Sequence, residues 1–356
     1  MSGYHNRESG YSIAPMDLSG LRTVSLKDRG GKVKQSDFAR PFAAGSGVKG
    51  LLESLPHILA GDSFRAVVEA ISAARKRRKP VLWGLGGHVI KCGMAPILID
   101  LMRRGFATGF AMNGSASIHD FEIALCGSTS EDVEAVLPDG RFGSAEETGR
   151  EWNSAISADT GVGSALGGAL DRLAPAEHRD ASLLLQAWTA NTPVTVHVAF
   201  GTDTPHAHPA CDPHALGAAT HLDFRLFCTM VSELNDGGVY INAGSAVVMP
   251  EVFLKAVSTA RNLGHELRNF TTVNLDFLQH YRPRVNVVER PHAQAGGRGY
   301  SLTGHHEIMI PLLAATLIEA QEPPDAAPGI GGTTRSAAFG GVTSANSSET
   351  ETGKPA

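Results

Sequence analysis

Along residues 80–321 the same order of segments recurs. A short apolar run is followed by a turn of small residues, and then by a segment whose apolar residues are spaced as on one face of a helix. The strand-like stretch PVLWGLGGH ends in a glycine turn, and VIKCGMAPILIDLMRRG follows it with apolar residues at helical intervals. The order recurs in ATGFAMNGS with IHDFEIALCG, and in GGVYINAGSAVVMPEVFLKAVSTARNLG. TPVTVHVAFGTD, NFTTVNLDF and RVNVVERP add three further predicted strands. The pattern predicts an α/β fold, a Rossmann-like parallel sheet with helices on both faces.

The two ends of the chain lack this pattern. Residues 1–45 mix Ser, Gly, Arg and Lys without periodicity, which indicates an arm that is either loose or laid on another subunit. Residues 322–356 are rich in Pro, Gly, Ser and Thr, which is typical of a disordered tail. The prediction is a single large domain over residues 46–321 between the two.

Composition narrows the class of protein. The chain has 356 residues, of which 42% are hydrophobic, so it can bury a sizeable core. Its formal net charge of −5 offers no general attraction to nucleic acid, and no apolar stretch is long enough to span a bilayer. The four cysteines form no CxxC pair, which argues against a disulfide framework and fits a reducing cytoplasm. We expect a cytoplasmic protein with no nucleic-acid or membrane partner.

Polar residues follow the predicted strands. In a parallel sheet, ligands bind at the carboxyl ends of the strands. This rule selects segments rich in Gly, Asn, Ser, Asp and His, which are 84–88, 113–120, 202–208, 242–251 and 274–276.

Two of these segments are glycine turns that precede helices. GLGG, with Gly84, Gly86 and Gly87, either approaches a phosphate with its backbone amides or is a tight turn that requires glycine. NAGSAVVMPE repeats the arrangement with Gly244 and Ser245. Glu251 and Lys255 lie at i and i+4 on the following helix, as a surface ion pair or as part of a site.

Two other segments carry histidines. His119 is a candidate acid or base because its ordinary pKa is near neutrality, whereas Asp120 beside it is also a plausible helix cap. The loop GTDTPHAHPACDPH offers His206, His208, His214, Asp203 and Cys211 as possible zinc or iron ligands, although H-x-H in a Pro-flanked loop is a loose match to known metal motifs. His305, His306 and Glu307 either complete such a site or cap the last helix.

Residues 80–321 resemble deoxyhypusine synthase. The resemblance is carried by AMNGSASIHD, TPVTVHVAFGTD, NAGSAVVMPE and PLLAATLIE, which follow the order of the family's cofactor loops and closing helix. It implies a homotetramer that binds NAD at subunit interfaces and acts on a small molecule. The implied cofactor contacts are Gly84, Gly86, Gly87, His88, Asn113, Gly114, Asp120, Thr202, Asp203, Gly244, Ser245 and His305. His206, His208 and Glu251 become substrate-side groups, and Cys211, Asp212 and His214 become bystanders.

The chain also departs from that family. Deoxyhypusine synthase forms an imine on an active-site lysine, yet no lysine occurs here between Lys255 and Lys354. The segment ERPHAQAGGRG supplies Arg290 and Arg298 in place of the acids that hold a polyamine, which favours an anionic substrate.

Four functional hypotheses follow. The first is an NAD-dependent enzyme of the deoxyhypusine synthase-like group, with His119, His206, His208 and Glu251 as acid, base or substrate contacts. The second is deoxyhypusine or homospermidine synthesis proper, with Lys255 or Lys91 replacing the missing lysine. The third is a metal-dependent hydrolase or lyase that uses the His206 and His208 loop. The fourth is a non-catalytic nucleotide-binding or assembly protein.

Overall fold

Six parallel strands form the central sheet in a computed structural model that describes residue 13 and residues 15–320. The predicted tail at 322–356 lies outside the described residues. The strands are β1 (Val81–Leu85), β2 (Gly109–Asn113), β3 (Val194–His197), β4 (Val239–Ala243), β5 (Thr271–Asp276) and β6 (Arg298–Thr303). Their order across the sheet is β3-β2-β1-β4-β5-β6. The predicted α/β class is confirmed.

Helices precede, connect and follow the strands. In chain order they are α1 (Gly47–Ser54), α2 (Leu59–Lys76), α3 (Gly87–Lys91), α4 (Ala95–Arg103), α5 (Gly114–Cys126), α6 (Val133–Val136), α7 (Glu146–Ala155), α8 (Val162–Leu173), α9 (Leu183–Thr189), α10 (Pro213–Ser232), α11 (Val248–Asn262), α12 (Tyr281–Pro283) and α13 (His306–Glu319). Helices α6 to α9 form a long excursion between β2 and β3, and none of the helices among the described residues is long and apolar enough to cross a membrane.

Alternation along the strands divides the core into two parts. Trp83 and Ile241 point to one face, where they pack with residues of α2, α4, α9 and α13. Leu82 and Tyr240, next to them in sequence, point to the other face and pack with α10 and α11. Because successive strand residues face opposite sides, apolar strands of this kind require helices on both faces.

The sixth predicted strand is wrong. RVNVVERP forms a π-helical turn at Arg284–Glu289, in which Val287 is buried and its carbonyl oxygen accepts a 2.6 Å hydrogen bond from the Thr272 hydroxyl. The sheet is completed instead by Arg298–Thr303, paired with β5. Only Leu302 of this edge strand is buried, so the segment has no apolar run to indicate it.

The N-terminal segment is described from residue 15, with Ile13 before it. It contains a single turn of 3-10 helix at Gln35–Asp37 and exposes almost every side chain up to α1. Met16, Leu21 and Val24 are among its exposed apolar residues.

Candidate active site

A cavity of about 200 Å³ lies at the carboxyl edge of the sheet. Its walls come from α3 after β1, from α5 after β2, from the 130–149 segment, and from the loop after β3. The side chains and glycines that line it are Lys91, Ser115, Ile118, His119, Glu122, Ser130, Glu131, Val133, Phe142, Gly143, Ala145, Thr148, Gly149, Thr202, Asp203, Thr204 and Pro205. His119, Thr202 and Asp203 were predicted from their position after strands, and the fold brings all three to this cavity.

His119 belongs to a hydrogen-bonded chain on the cavity wall. Its Nδ1 lies 2.7 Å from the Thr129 hydroxyl oxygen, and that hydroxyl donates to Glu122 Oε2. Thr148 donates to the other oxygen of Glu122 at 3.1 Å. An ionised carboxylate only accepts hydrogen bonds, so the Thr129 hydroxyl donates its one proton to Glu122. The Thr129 oxygen therefore accepts a hydrogen bond from His119 Nδ1–H. This assignment leaves the lone pair on His119 Nε2.

The environment keeps His119 uncharged. Partial burial, and secondarily the positive charge of Lys91, lowers the pKa of His119 to about 4. The ring is therefore neutral at pH 7. A neutral imidazole, oriented through Nδ1 and with an unprotonated Nε2, has the arrangement of a general base.

Asp203 forms the opposite wall. Its Oδ2 accepts from the Ala199 amide at 2.9 Å, and burial raises the pKa of its carboxyl despite that hydrogen bond. The carboxylate lies over Gly114, where a Cβ atom would overlap it. Gly114 is thus needed for Asp203 to reach this position, which gives a physical role to a glycine predicted as a cofactor contact.

His206 and His208 do not line the cavity. The buried His206 ring packs against Phe200 and Trp152, with centroid separations of 4.8 and 6.2 Å, and neither ring nitrogen has a hydrogen-bond partner among the described residues. Burial lowers the pKa of His206. His208 Nε2 lies 3.2 Å from Glu146 Oε2, at a half-exposed position on α7.

The ligand atoms of the predicted metal loop do not come together as a metal-binding group in the described part of the chain. Asp212 Oδ1 accepts from the backbone amides of His214 and Ala215 and so caps α10. Within the described part of the chain, the one group of three or more His, Cys, Asp or Glu ligand atoms close enough for a metal lies elsewhere. The His206 and His208 loop is therefore better described as packing between α7 and the cavity.

The turns after β1 and β4 meet at the point where the strand order reverses. The Gly86 amide donates to the Ala243 carbonyl oxygen at 2.9 Å, and a Cβ on Gly86 would overlap the Gly244 carbonyl oxygen. Ser245 Oγ accepts from the Met249 amide at the start of α11. Gly84, also predicted in this turn, lies inside β1 and leaves room for the Tyr240 ring.

Two predicted cofactor contacts serve as helix caps. Asn113 Oδ1 accepts from the Ala116 amide at 2.9 Å and caps α5. Asp120 is fully buried and accepts from the Ser182 hydroxyl and from the Leu183 and Leu184 amides, at 2.7 to 2.9 Å, at the start of α9. Burial raises the pKa of Asp120 to about 6, although these hydrogen bonds oppose the shift.

The remaining predicted residues lie apart from the cavity. Glu251 pairs with Lys255 at 3.0 Å and accepts from Asn286 at 2.9 Å, and Arg290 donates to Asn286 Oδ1. Arg298 begins β6, so it lies at the amino edge of the sheet, opposite the cavity. His305 stacks on Phe277 at the beginning of α13, with a centroid distance of 5.7 Å.

Several polar residues that line the cavity or hydrogen-bond to its lining were missed from the sequence. Glu122, Thr129, Glu131 and Thr148 come from the second half of α5 and from the excursion after it. The i, i+3 spacing of His119 and Glu122 on one helix was the available signal, since residues three apart share a helix face. Nothing in the local pattern indicates that Thr129 and Thr148 fold back onto Glu122.

No family model matches this chain, and no curated protein matches it. Among solved structures it is similar to a conserved LOR/SDH-type candidate protein from Methanococcus maripaludis S2, with 14% identity over 74% of this chain and 70% of that one, and a TM-score of 0.49. The ternary complex of AgrE with ornithine and NAD+ has 13% identity and a TM-score of 0.49 over 74% of this chain, which spans only 34% of AgrE. A candidate deoxyhypusine synthase from Entamoeba histolytica has 11% identity and a TM-score of 0.48, over 81% of this chain and 98% of that one. The similarity to these structures is distant and concerns the fold alone.

Proposed function

We propose that this chain is an NAD-dependent enzyme that oxidises a small amine in the cavity beside β1. The observation that carries the proposal is the position of His119. A Cβ on Gly87, in the turn after β1, would lie 3.3 Å from His119 Cδ2. A neutral base therefore lies against the turn at the reversal of strand order, where doubly wound sheets bind dinucleotides.

The turns at this reversal have the shape that a dinucleotide requires. The order β3-β2-β1-β4-β5-β6 is that of dinucleotide-binding sheets. Gly86 and Gly244 lie where β1 and β4 diverge, and because glycine has no side chain, their backbone atoms are not covered. The fingerprint is incomplete, since Val89 takes the place of its third glycine and Asn113 ends β2. Gly86, Gly87, Gly244 and Ser245 are the residues that we propose to hold the pyrophosphate.

The cavity has the size of a substrate pocket. At about 200 Å³ it is smaller than the ~300 Å³ at which pockets for drug-sized ligands begin. A small substrate would fit inside it, and the turns that we propose to hold the dinucleotide lie outside it. We propose a homo-oligomer in which a second copy covers those turns, as the resemblance implied.

The charges around the cavity favour a cation. Glu122, Glu131 and Asp203 line it, whereas Lys91 is its one lysine and His119 is neutral. Arg290 and Arg298, which suggested an anionic substrate, lie elsewhere. Carboxylates that surround a neutral base suit an ammonium group, which they attract and which the base deprotonates.

The proposed reaction is the oxidation of a primary amine to an iminium ion. NAD supplies the hydride acceptor when bound. His119 Nε2 removes the one proton that the substrate nitrogen loses as the hydride leaves the adjacent carbon, so that R–CH2–NH3+ becomes R–CH=NH2+. Asp203 and Glu122 hold the nitrogen at the base, and Thr129 fixes the ring through Nδ1.

Replacing Gly86 by alanine should weaken NAD binding at least ~10-fold, because the new Cβ pushes the two turns apart where the dinucleotide lies closest to the backbone. Calorimetric titration of the folded chain with NAD measures this. Gly217→Ala is the matched control, since a Cβ there meets nothing within 4 Å. Equal affinity in the two variants, or no heat of NAD binding to the unmodified chain, contradicts the proposed cofactor site.

A second candidate function is transfer of the oxidised group through an imine on Lys91, in which the Lys91 amine attacks the iminium carbon and the bond from that carbon to the substrate nitrogen breaks, releasing that nitrogen as an amine. The observation that favours it is that Lys91 lines the cavity, whereas Lys255 is paired with Glu251 outside it. Of Lys91 and Lys255, only Lys91 lies in the same cavity as His119 and can react with a substrate that His119 has deprotonated.

Borohydride reduction tests the imine. With spermidine and NAD present, we expect a stable mass adduct on the unmodified chain and on Lys255→Arg, and none on Lys91→Arg, because arginine does not form the imine. Intact-mass and peptide mass spectrometry locate the adduct. An unmodified chain without adduct removes this candidate and leaves simple amine oxidation.

A further inference from the structure

Three side chains with different metal-binding atoms meet outside the cavity. His88 and Cys92 lie at i and i+4 around α3, and Glu307 lies in the first turn of α13. One ligand atom from each lies within 4.8 Å of the other two, and no other such group occurs in the part of the chain that the structure describes. We call these residues the His88–Cys92–Glu307 cluster.

The fold holds His88 in place from two sides. The edge of its ring meets Phe277 at a centroid distance of 5.9 Å and His306 at 5.6 Å. Phe277 follows β5 and also contacts His306. The cluster therefore lies across the carboxyl ends of β1, β5 and β6, where turns from three strands converge.

His306 packs beside His88 of the cluster. Its side chain is fully buried, and its Nδ1 has no hydrogen-bond partner among the described residues. Its Nε2 lies 3.3 Å from the Leu275 carbonyl oxygen. A carbonyl only accepts, so Nε2 carries the proton and Nδ1 keeps a free lone pair. The His306 ring is therefore a buried neighbour of the His88 ring, outside the group of three ligand atoms.

We propose that the His88–Cys92–Glu307 cluster binds Zn²⁺ through these three side chains, with a water molecule in the fourth position. Nitrogen, thiolate and carboxylate are the donors that zinc accepts together, whereas Ca²⁺ and Mg²⁺ prefer oxygen alone. Bond lengths of ~2.0 to 2.3 Å place tetrahedral ligand atoms ~3.3 to 3.8 Å apart, so the cluster contracts slightly around the ion. The exposed Glu307 side chain is free to make that adjustment.

The cluster lies outside the cavity, because none of its three residues lines it. His88 directly follows the Gly86 and Gly87 turn of the proposed cofactor site. Metal binding is therefore measured in the absence of NAD and substrate, so that its outcome does not depend on amine oxidation.

Metal titration of the full chain, purified without a histidine tag and stripped with chelator, tests the proposal. We expect one Zn²⁺ per chain by calorimetry and elemental analysis, and a thiolate-to-cobalt absorption band with Co²⁺. Cys92→Ser should remove the band, and both Cys92→Ser and Glu307→Gln should weaken Zn²⁺ binding at least ~10-fold, by comparison with the effect of altering groups around a metal. Cys126→Ser is the control, because this exposed thiol lies outside the cluster and should leave binding unchanged.

Two results would overturn the zinc site. One is the absence of stoichiometric Zn²⁺ binding to the unmodified chain. The other is a cobalt–thiolate band that persists in Cys92→Ser or disappears in Cys126→Ser. If Cys92→Ser fails to fold, Glu307→Gln decides, because its exposed side chain tolerates substitution and unchanged affinity there contradicts the proposal.

Discussion

Replacing Asp120 by alanine should lower the free energy of unfolding by about 3 kcal/mol, because the Leu183 and Leu184 amides at the buried start of α9 lose their hydrogen-bond acceptor. Each buried donor without a partner costs roughly 1–3 kcal/mol. Part of that loss is offset, because the folded variant no longer buries a carboxylate. Urea unfolding followed by circular dichroism measures the change. The variant should show a lower midpoint with an unchanged slope.

Asp171→Ala provides the comparison. Asp171 pairs with Arg179 near the surface, and its side chain is half exposed, so its loss should cost less than about 1 kcal/mol. If Asp120→Ala and Asp171→Ala unfold at the same urea concentration, the capping role of Asp120 is refuted.

The contribution of Asp120 should also depend on pH. Burial raises the pKa of Asp120 to about 6, from an ordinary value of 3.8. Between these values the folded protein keeps a proton that the unfolded chain has released. The stability that Asp120 contributes is therefore fully present below pH ~4 and declines as the pH rises through ~6. Asp120→Ala should lack this part of the pH dependence.

Replacing His119 by glutamine should reduce kcat/KM for amine oxidation by ~10²- to 10⁴-fold, the usual contribution of a positioned general base. Glutamine keeps a polar side chain but cannot take a proton. The affinity for NAD should change little, because the glycine turns bind the cofactor. NADH formation with small diamines and polyamines measures the effect, and His221→Gln, at an exposed position on α10, is the matched control.

The pH profile separates a base from a structural residue. Because the pKa of His119 is lowered to about 4, its neutral form persists across pH 6–8. The acid limb of kcat/KM that belongs to this group should lie near pH 4 and should vanish in His119→Gln. A limb near pH 6.5, or full activity of His119→Gln, contradicts the assignment.

Some of the residues that the strand-end rule predicted lie at the cavity and others do not. His119, Thr202 and Asp203 follow buried apolar strands, whose signal is local, and all three reach the cavity. Gly84 and Asp120 were predicted by the same rule, yet Gly84 lies inside β1 against Tyr240, and Asp120 caps a helix some sixty positions away in sequence. Which partner a polar residue finds depends on distant segments, and hydrophobic periodicity does not contain that information.

The errors in the sheet have a similar origin. RVNVVERP has the β-branched residues of a strand, but its valines pack as a helical turn against β5 and α11, so tertiary contacts outweigh propensity. RGYSLT forms the edge strand with one buried residue. Edge strands need little apolar surface, and a search for apolar runs passes over them.

The pairing of β1 with β4 has a consequence for how the molecule forms. The two strands at the centre of the sheet are separated by the whole of residues 86–238, whereas β2 and β3 both lie within that interval. Contacts so distant in sequence form slowly, because the chain must close a large loop first. During synthesis, β1 to β3 emerge before β4 exists. We therefore expect the Gly86–Gly244 turns to be among the last parts of the sheet to assemble, so that ligand binding there reports completion of folding.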